Sequence, residues 1–148
     1  MKNLITTVFV LLLLHSCSPK NQPGFSKTYT GAGPGYSKAV CIISGNIKTI
    51  YVSGLTGEGN DLEAQTRATF ANIKAELEVS GATFKDVVKM NTFIVNYRPS
   101  DIEIFRGVRK EIMGTKDMPA STVVGVEALA AKDKLIEIEA IAVLKMNK

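Results

Sequence analysis

Two stretches with the apolar period of a helix alternate with two strand-like stretches between residues 60 and 127, which restricts the chain to a sheet that helices return to. In the first helical stretch Asn60 stands at the N-cap position with Glu63 after it, Leu62, Thr66, Phe70, Ile73 and Leu77 form one stripe, and Gly81 offers a left-handed end. Asp86 to Tyr97 (DVVKMNTFIVNY) reads as a long strand. Ser100-Asp101-Ile102-Glu103 has the form of a capping box opening a second helix, with Ile104, Phe105, Val108 and Ile112 facing inward and Gly114 stopping it. Upstream, Lys38–Ser44 and Lys48–Ser53 flank a Gly45-Asn46 turn and predict a hairpin; downstream, Ala120–Glu127 and Lys134–Leu144 predict two closing strands. The order ββαβαββ predicts an α+β fold, a two-layer sandwich with both helices on one face of a single sheet. Nothing in the sequence supplies a third layer, so the other face calls for a second copy of the chain as its cover.

The last predicted strand sends Glu137 and Glu139 to one face and Ile136, Ile138, Ala140 and Ala142 to the other. If the two closing strands form a hairpin centred near Leu129, Ser121 lies opposite Glu137. Ser121 and Thr122 open a strand where apolar residues are the rule, and they read either as a strand end satisfying its own backbone or as part of a site. The two glutamates read either as a solvated strand face or as site carboxylates.

Residues 1–17, MKNLITTVFVLLLLHSC, have a basic start, an apolar run from Leu4 to Leu14 too short to span a bilayer, and a small residue before a cysteine. A buried N-terminal helix would show a polar face, and this run shows none. The ending Leu14-His15-Ser16-Cys17 resembles the lipobox of bacterial lipoproteins. That resemblance implies a cleaved export signal over residues 1–16, lipidation of Cys17, and an exported domain anchored to a membrane surface, on the periplasmic side. Residues 17–32, polar and rich in Pro, Gly, Ser and Lys without periodicity, read as a flexible tether, and residues 33–148 as one folded domain.

Cleavage would remove His15, the only histidine, and lipid would occupy Cys17, leaving Cys41 as the sole thiol. A Ser-His-Asp triad, a Cys-His pair, an intramolecular disulfide and a His-based zinc site are thereby excluded from the mature monomer. Cys41, inside the apolar run Ala39–Ile43, reads as a core residue rather than a reactive thiol. Of the 18 basic residues only Lys2 lies in the removed segment, so 17 remain against 14 acidic ones. This small excess is scattered, and no Lys/Arg cluster stands beside exposed aromatics, so nucleic-acid binding is not expected.

The blocks GPGYSKAV (33–40), YVSG (51–54), QTRATFANIKAELEVSGATFKDVVKMNTFIV (65–95), MPASTVVGV (118–126) and IEIEAIAV (136–143) together resemble the RidA/YjgF family, in order and spacing, from Gly33 to Leu144. The resemblance implies a compact homotrimer of chorismate-mutase-like fold with ligand clefts between subunits. It also implies hydrolysis of reactive enamines and imines to a keto acid and ammonia, and it implies no cofactor and no metal. Carried over residue by residue, it makes Tyr36 and Gly54 cleft residues and Glu137 the carboxylate that positions water, although Gly35 intervenes between Pro34 and Tyr36 here. Where the family's deaminases have Pro-Ala-Arg, with the arginine gripping the substrate carboxylate, this chain has Pro119-Ala120-Ser121, with Thr122 following.

A charge-assisted bond to a carboxylate contributes about 1.5–3 kcal/mol, so loss of that arginine is expected to cost roughly tenfold to more than a hundredfold on a carboxylate-bearing imine. The four arginines, Arg67, Arg98, Arg106 and Arg109, fall on predicted helices or a loop, away from the cleft strands, and substitution by one of them stands as the alternative. Two functions fit: a hydrolase of imines or a related small electrophile, and a trimeric small-ligand-binding module without chemistry, anchored outside the cytoplasm.

Overall fold

The computed structural model describes residues 24–146, so the expected export signal, Cys17 and the start of the expected tether lie outside the described residues. Its elements are β1 (Phe25–Gly33), β2 (Tyr36–Ser44), β3 (Ile47–Leu55), α1 (Leu62–Val79), β4 (Val87–Val95), α2 (Asp101–Met113), β5 (Ala120–Val126) and β6 (Ile136–Lys145), with a 3-10 turn at Phe84–Asp86 leading into β4. The strands form one sheet in the order β1-β2-β3-β6-β4-β5, antiparallel except for the β4–β5 pair. Both helices cover one face, as the sequence predicts, and the fold is an α+β sandwich of two layers.

β1 corrects the tether. Phe25 to Gly33 pairs antiparallel with β2 from Phe25↔Ser44 to Gly33↔Tyr36, so the domain begins well before Gly33 and the order is βββαβαββ. This edge strand is held by its backbone ladder and not by an apolar face, since every side chain but Thr30 and Gly33 is exposed, and it therefore carries no apolar period. Thr30 fastens it to the helix layer by donating its hydroxyl hydrogen to the buried Glu76 carboxylate of α1.

The β5–β6 hairpin centred near Leu129 is also corrected. β4, α2 and β5 form a crossover with β4 and β5 parallel, and the 127–135 connection carries the chain past β4 so that β6 enters between β3 and β4. Ser121 consequently pairs with Met90 and Glu137 with Phe93. A local symmetry argument cannot see this, because pairing across three strands buries more of the apolar row of β6 than a two-strand hairpin would.

Local capping differs in detail. Asp61, not Asn60, caps α1, its carboxylate accepting from the Ala64 amide at 2.8 Å, while Gly81 takes the left-handed conformation expected of it. Ser100 is already helical and makes no side-chain cap; Asp101, buried, instead accepts from the Arg98 amide at 2.7 Å. Phe105 and Val108 of α2 are buried as predicted, whereas Ile104 and Ile112 are each 37% exposed because α2 presents only a narrow stripe to the core.

The core lies between helices and sheet. Phe70, Ile73 and Leu77 of α1 meet Ile50, Val52, Met90, Ile94, Ile136 and Ile138, and Cys41 is buried among them. Phe70 stacks on Phe105 with ring centroids 6.2 Å apart, which joins the two helices. Gln65 sets the entry to β6: its buried amide donates to the Gly59 and Asp133 carbonyls and accepts from the Leu135 amide at 2.7 Å. All its hydrogen-bonding capacity in that pocket goes to backbone, so the loop before β6 is held and the register that presents Glu137 follows.

Candidate active site

Because β6 is flanked by β3 and β4, each of its residues meets neighbours on both sides. Ile136, Ile138, Ala140 and Ala142 are buried under the helices, and alternation turns Glu137 and Glu139 to the face that carries no helix. On the β4 side Glu137 pairs with Phe93 and Glu139 with Asn91, whose side-chain amide donates to Glu139 Oε1 at 2.6 Å. On the β3 side the register shifts between Val52 and Leu55, and Gly54 comes against Glu137. A Cβ on Gly54 would lie 2.7 Å from Glu137 Cδ and 2.9 Å from Cγ. Since Gly54 does not occupy the left-handed region, the demand for glycine here is steric: only a hydrogen leaves room for the carboxylate. Burial, and then the neighbouring Glu139 charge, push the Glu137 carboxyl up from its ordinary value.

Gly54 also lines a cleft of about 450 Å³ with Tyr36, Lys38, Asn72 and Glu76. Tyr36, at the start of β2, is half exposed and packs its ring against Gly33. A second hollow of about 350 Å³ lies on the open face beside Glu139, lined by Tyr51, Ser53, Lys89 and Asn91. Among the described residues no group of three His, Cys, Asp or Glu is placed to hold a metal ion.

The structure separates the two residues that the sequence set side by side. Thr122 pairs with Asn91 on the open face, where Lys89 Nζ donates to its hydroxyl at 2.7 Å. Ser121 shares the row of buried Met90 and so turns toward the helix layer. There Arg109 Nη1 of α2 donates to Ser121 Oγ at 2.9 Å. Within one protomer Glu137, Gly54 and Thr122 therefore belong to one side of the sheet and Ser121 to the other. Arg109 lies on a helix, as the sequence places it, and its side chain nevertheless reaches β5. Its signal was present in the helical pattern: Arg109 follows Val108 and stands one turn after Phe105, at the border of the buried stripe, where a long side chain can lie along the surface toward a neighbouring strand. Asn91 and Lys89 were also missed, because their meaning depends on which strands flank β4.

Residues 29–144 match the Endoribonuclease L-PSP family. A 2-iminobutanoate/2-iminopropanoate deaminase from Dermatophagoides farinae is 37% identical over 121 residues, covering 76% of this chain and 88% of that protein. Among solved structures, a YjgF/YER057c/UK114-family protein from Mycobacterium tuberculosis superposes with a TM-score of 0.69 at 34% identity, covering 80% of this chain and 100% of the other. The RidA of an Antarctic Psychrobacter species gives 0.66 at 32% identity, over 78% and 94%. This chain belongs to the RidA/YjgF family. The match to the family model begins inside β1 and ends inside β6, so the family unit includes the second part of the strand that the sequence pattern assigns to the tether.

Proposed function

We propose that this RidA/YjgF-family protein hydrolyses small reactive imines or enamines, releasing ammonia, in a cleft completed by another copy of the chain. The observation that carries the reading is Glu137, a half-buried carboxylate seated against a glycine that leaves it just enough room, with its proton affinity raised. The similarity to an imine deaminase supports it.

Glu137 accepts a proton from water as the water oxygen attacks the imine carbon. The nitrogen takes up two protons, the one that Glu137 returns and the one given up by the hydroxyl of the resulting carbinolamine as its carbon–nitrogen bond breaks, and ammonia leaves behind a carbonyl. An enamine enters the same route after protonation at carbon. A raised carboxyl pKa makes Glu137 a stronger base at neutral pH than an ordinary carboxylate. Tyr36 lines the cleft, and Gly54 provides the clearance. Ser121 and Thr122 contribute polar contacts, and because Ser121 and Glu137 face opposite sides of one sheet, a cleft holding both takes them from neighbouring protomers.

The helix-free face supports assembly as a homotrimer: Tyr51, Val124 and Val143 lie on it at 44%, 42% and 37% exposure, and a second layer would bury them. Ser121 in the family's arginine position favours a second reading, a trimeric binding module without chemistry. Ammonia release from a 2-iminopropanoate generated in situ, measured against the spontaneous rate together with light scattering, separates the two. A trimer that accelerates release is expected. A trimer that does not is a binding module, and a stable monomer at micromolar concentration removes the composite cleft altogether.

Gly54→Ala is expected to leave the protein folded, because strand backbone accepts alanine, yet to lower hydrolysis strongly by displacing the Glu137 carboxylate. Wild-type activity in that variant would show that the contact is incidental to the chemistry.

A further inference from the structure

Three of the four arginines have carboxylate partners: Arg67 pairs with Glu63 and Glu111, Arg98 with Asp101, and Arg106 with Glu103. Among the described residues Arg109 has none. Its guanidinium lies over the Phe105 ring, 5.1 Å from the centroid, and its hydrogen bond to a side chain goes to the neutral Ser121 hydroxyl at 2.9 Å. Phe105 is fully buried, so the platform beneath the cation is fixed, while Ser121 on β5 fixes its outer edge. Burial, and then the nearby Arg106 charge, lower the Arg109 pKa, the signature of a cation partly removed from water without a counter-ion. A guanidinium has five N–H donors, and this one uses Nη1 on Ser121; the serine, accepting that bond, keeps its own hydrogen free to donate. A fork of donors with no anion in it is complementary to a planar carboxylate.

The geometry points to Arg109, delivered from α2 and held by Ser121 and Phe105, as the group that binds the substrate's carboxylate in place of the absent strand arginine. The assignment rests on the imine-hydrolase reading for the identity of the substrate, but not for the existence of the anion site. It revises the expectation that an arginine-to-serine replacement strips the pocket of its charge. The charge has moved from the strand to the neighbouring helix, and Ser121 has become the residue that orients it.

The test compares binding of pyruvate, the keto acid of a 2-imino acid, with its neutral isostere pyruvamide by calorimetric titration. Wild type is expected to prefer pyruvate by about tenfold or more, the range for a charge-assisted bidentate contact. Arg109→Gln should bring the ratio to about one, and Arg109→Lys should keep part of it, since the charge remains but the fork does not. Ser121→Asp leaves Arg109 in place and puts a carboxylate beside it, so it should also erase the preference by filling the anion site from within. With 2-iminopropanoate as substrate, Arg109→Gln should raise KM more than it lowers kcat. A wild type with no preference, or a preference that survives both Arg109→Gln and Ser121→Asp in folded protein, overturns the assignment. The two readings fail separately: an Arg109-dependent preference without ammonia release sinks the hydrolase and leaves the anion site, whereas Glu137-dependent hydrolysis with a preference indifferent to Arg109 does the reverse.

Discussion

Glu137→Gln is expected to reduce imine hydrolysis by about 10²–10⁴ in kcat, the usual contribution of a positioned general base, while raising stability at neutral pH. The amide preserves the shape that fits against Gly54 but cannot accept the proton of the attacking water. The stability gain follows from the direction of the Glu137 shift. Burial and Glu139 raise its folded pKa above that of the unfolded chain, so between the two values the folded state binds more protons than the unfolded state. Unfolding free energy then falls as pH rises through that window, and above it the ionised carboxylate is a standing cost. Removing the charge removes the cost. Urea midpoints of wild type and variant should therefore diverge as pH rises from the ordinary carboxylate range to neutrality, with the variant the more stable, while wild-type kcat rises with ionisation of the base over the same interval. A Gln variant that keeps its activity would remove Glu137 from the mechanism; one that is less stable at neutral pH would show that the carboxylate is held by favourable contacts and not merely tolerated.

Phe70→Ala is expected to cost about 3–5 kcal/mol, the range for a buried aromatic truncated to alanine. Phe70 is fully buried and contacts both Phe84, edge-on at 5.9 Å, and Phe105, stacked at 6.2 Å, so the cavity opens at the junction of both helices and the turn before β4. Large rings on three separate segments leave little scope for collapse into the gap. The effect should extend to ligand binding, because Phe105 is the surface on which Arg109 lies. Guanidinium denaturation at constant m-value would read the stability loss, and the pyruvate-to-pyruvamide ratio would read the loosened arginine. A loss below about 1 kcal/mol would mean that the surrounding side chains refill the space, contrary to the packing of a close-fitted interior.

Periodicity made the layer architecture legible before any coordinates. The stripe from Thr66 to Leu77, the alternation in Ile136–Ala142 and the hairpin around Gly45-Asn46 each encode burial in local spacing, and each stands as read. Elements whose stability is not encoded in an apolar period were misread. β1 is secured by backbone pairing and the Thr30–Glu76 bond, neither of which leaves a pattern in residue type. Asn60 and Ser100 have suitable cap chemistry, but the backbone conformations that make Asp61 the cap of α1 and begin α2 with Ser100 already helical are set by how the preceding loops arrive.

The carboxylate of the candidate site could be found from sequence, because alternation assigns Glu137 and Glu139 to the face opposite the core and the family resemblance singles out Glu137. Its surroundings could not. Gly54 meets Glu137 only because β3 bulges beside β6, and Arg109 reaches Ser121 only because a parallel crossover lays α2 along β5. The sequence by itself determined the buried faces of α1 and β6 and that two helices share one face of a sheet, since these are properties of short-range spacing and residue chemistry, and its resemblance to the family marked one strand position that lacks the usual arginine. Strand order, the separation of Ser121 from Glu137, and the arrival of a different arginine at that serine were decided by tertiary structure alone: they depend on pairings between segments far apart in the chain, which form wherever the largest apolar area and the fullest backbone hydrogen bonding can be satisfied together.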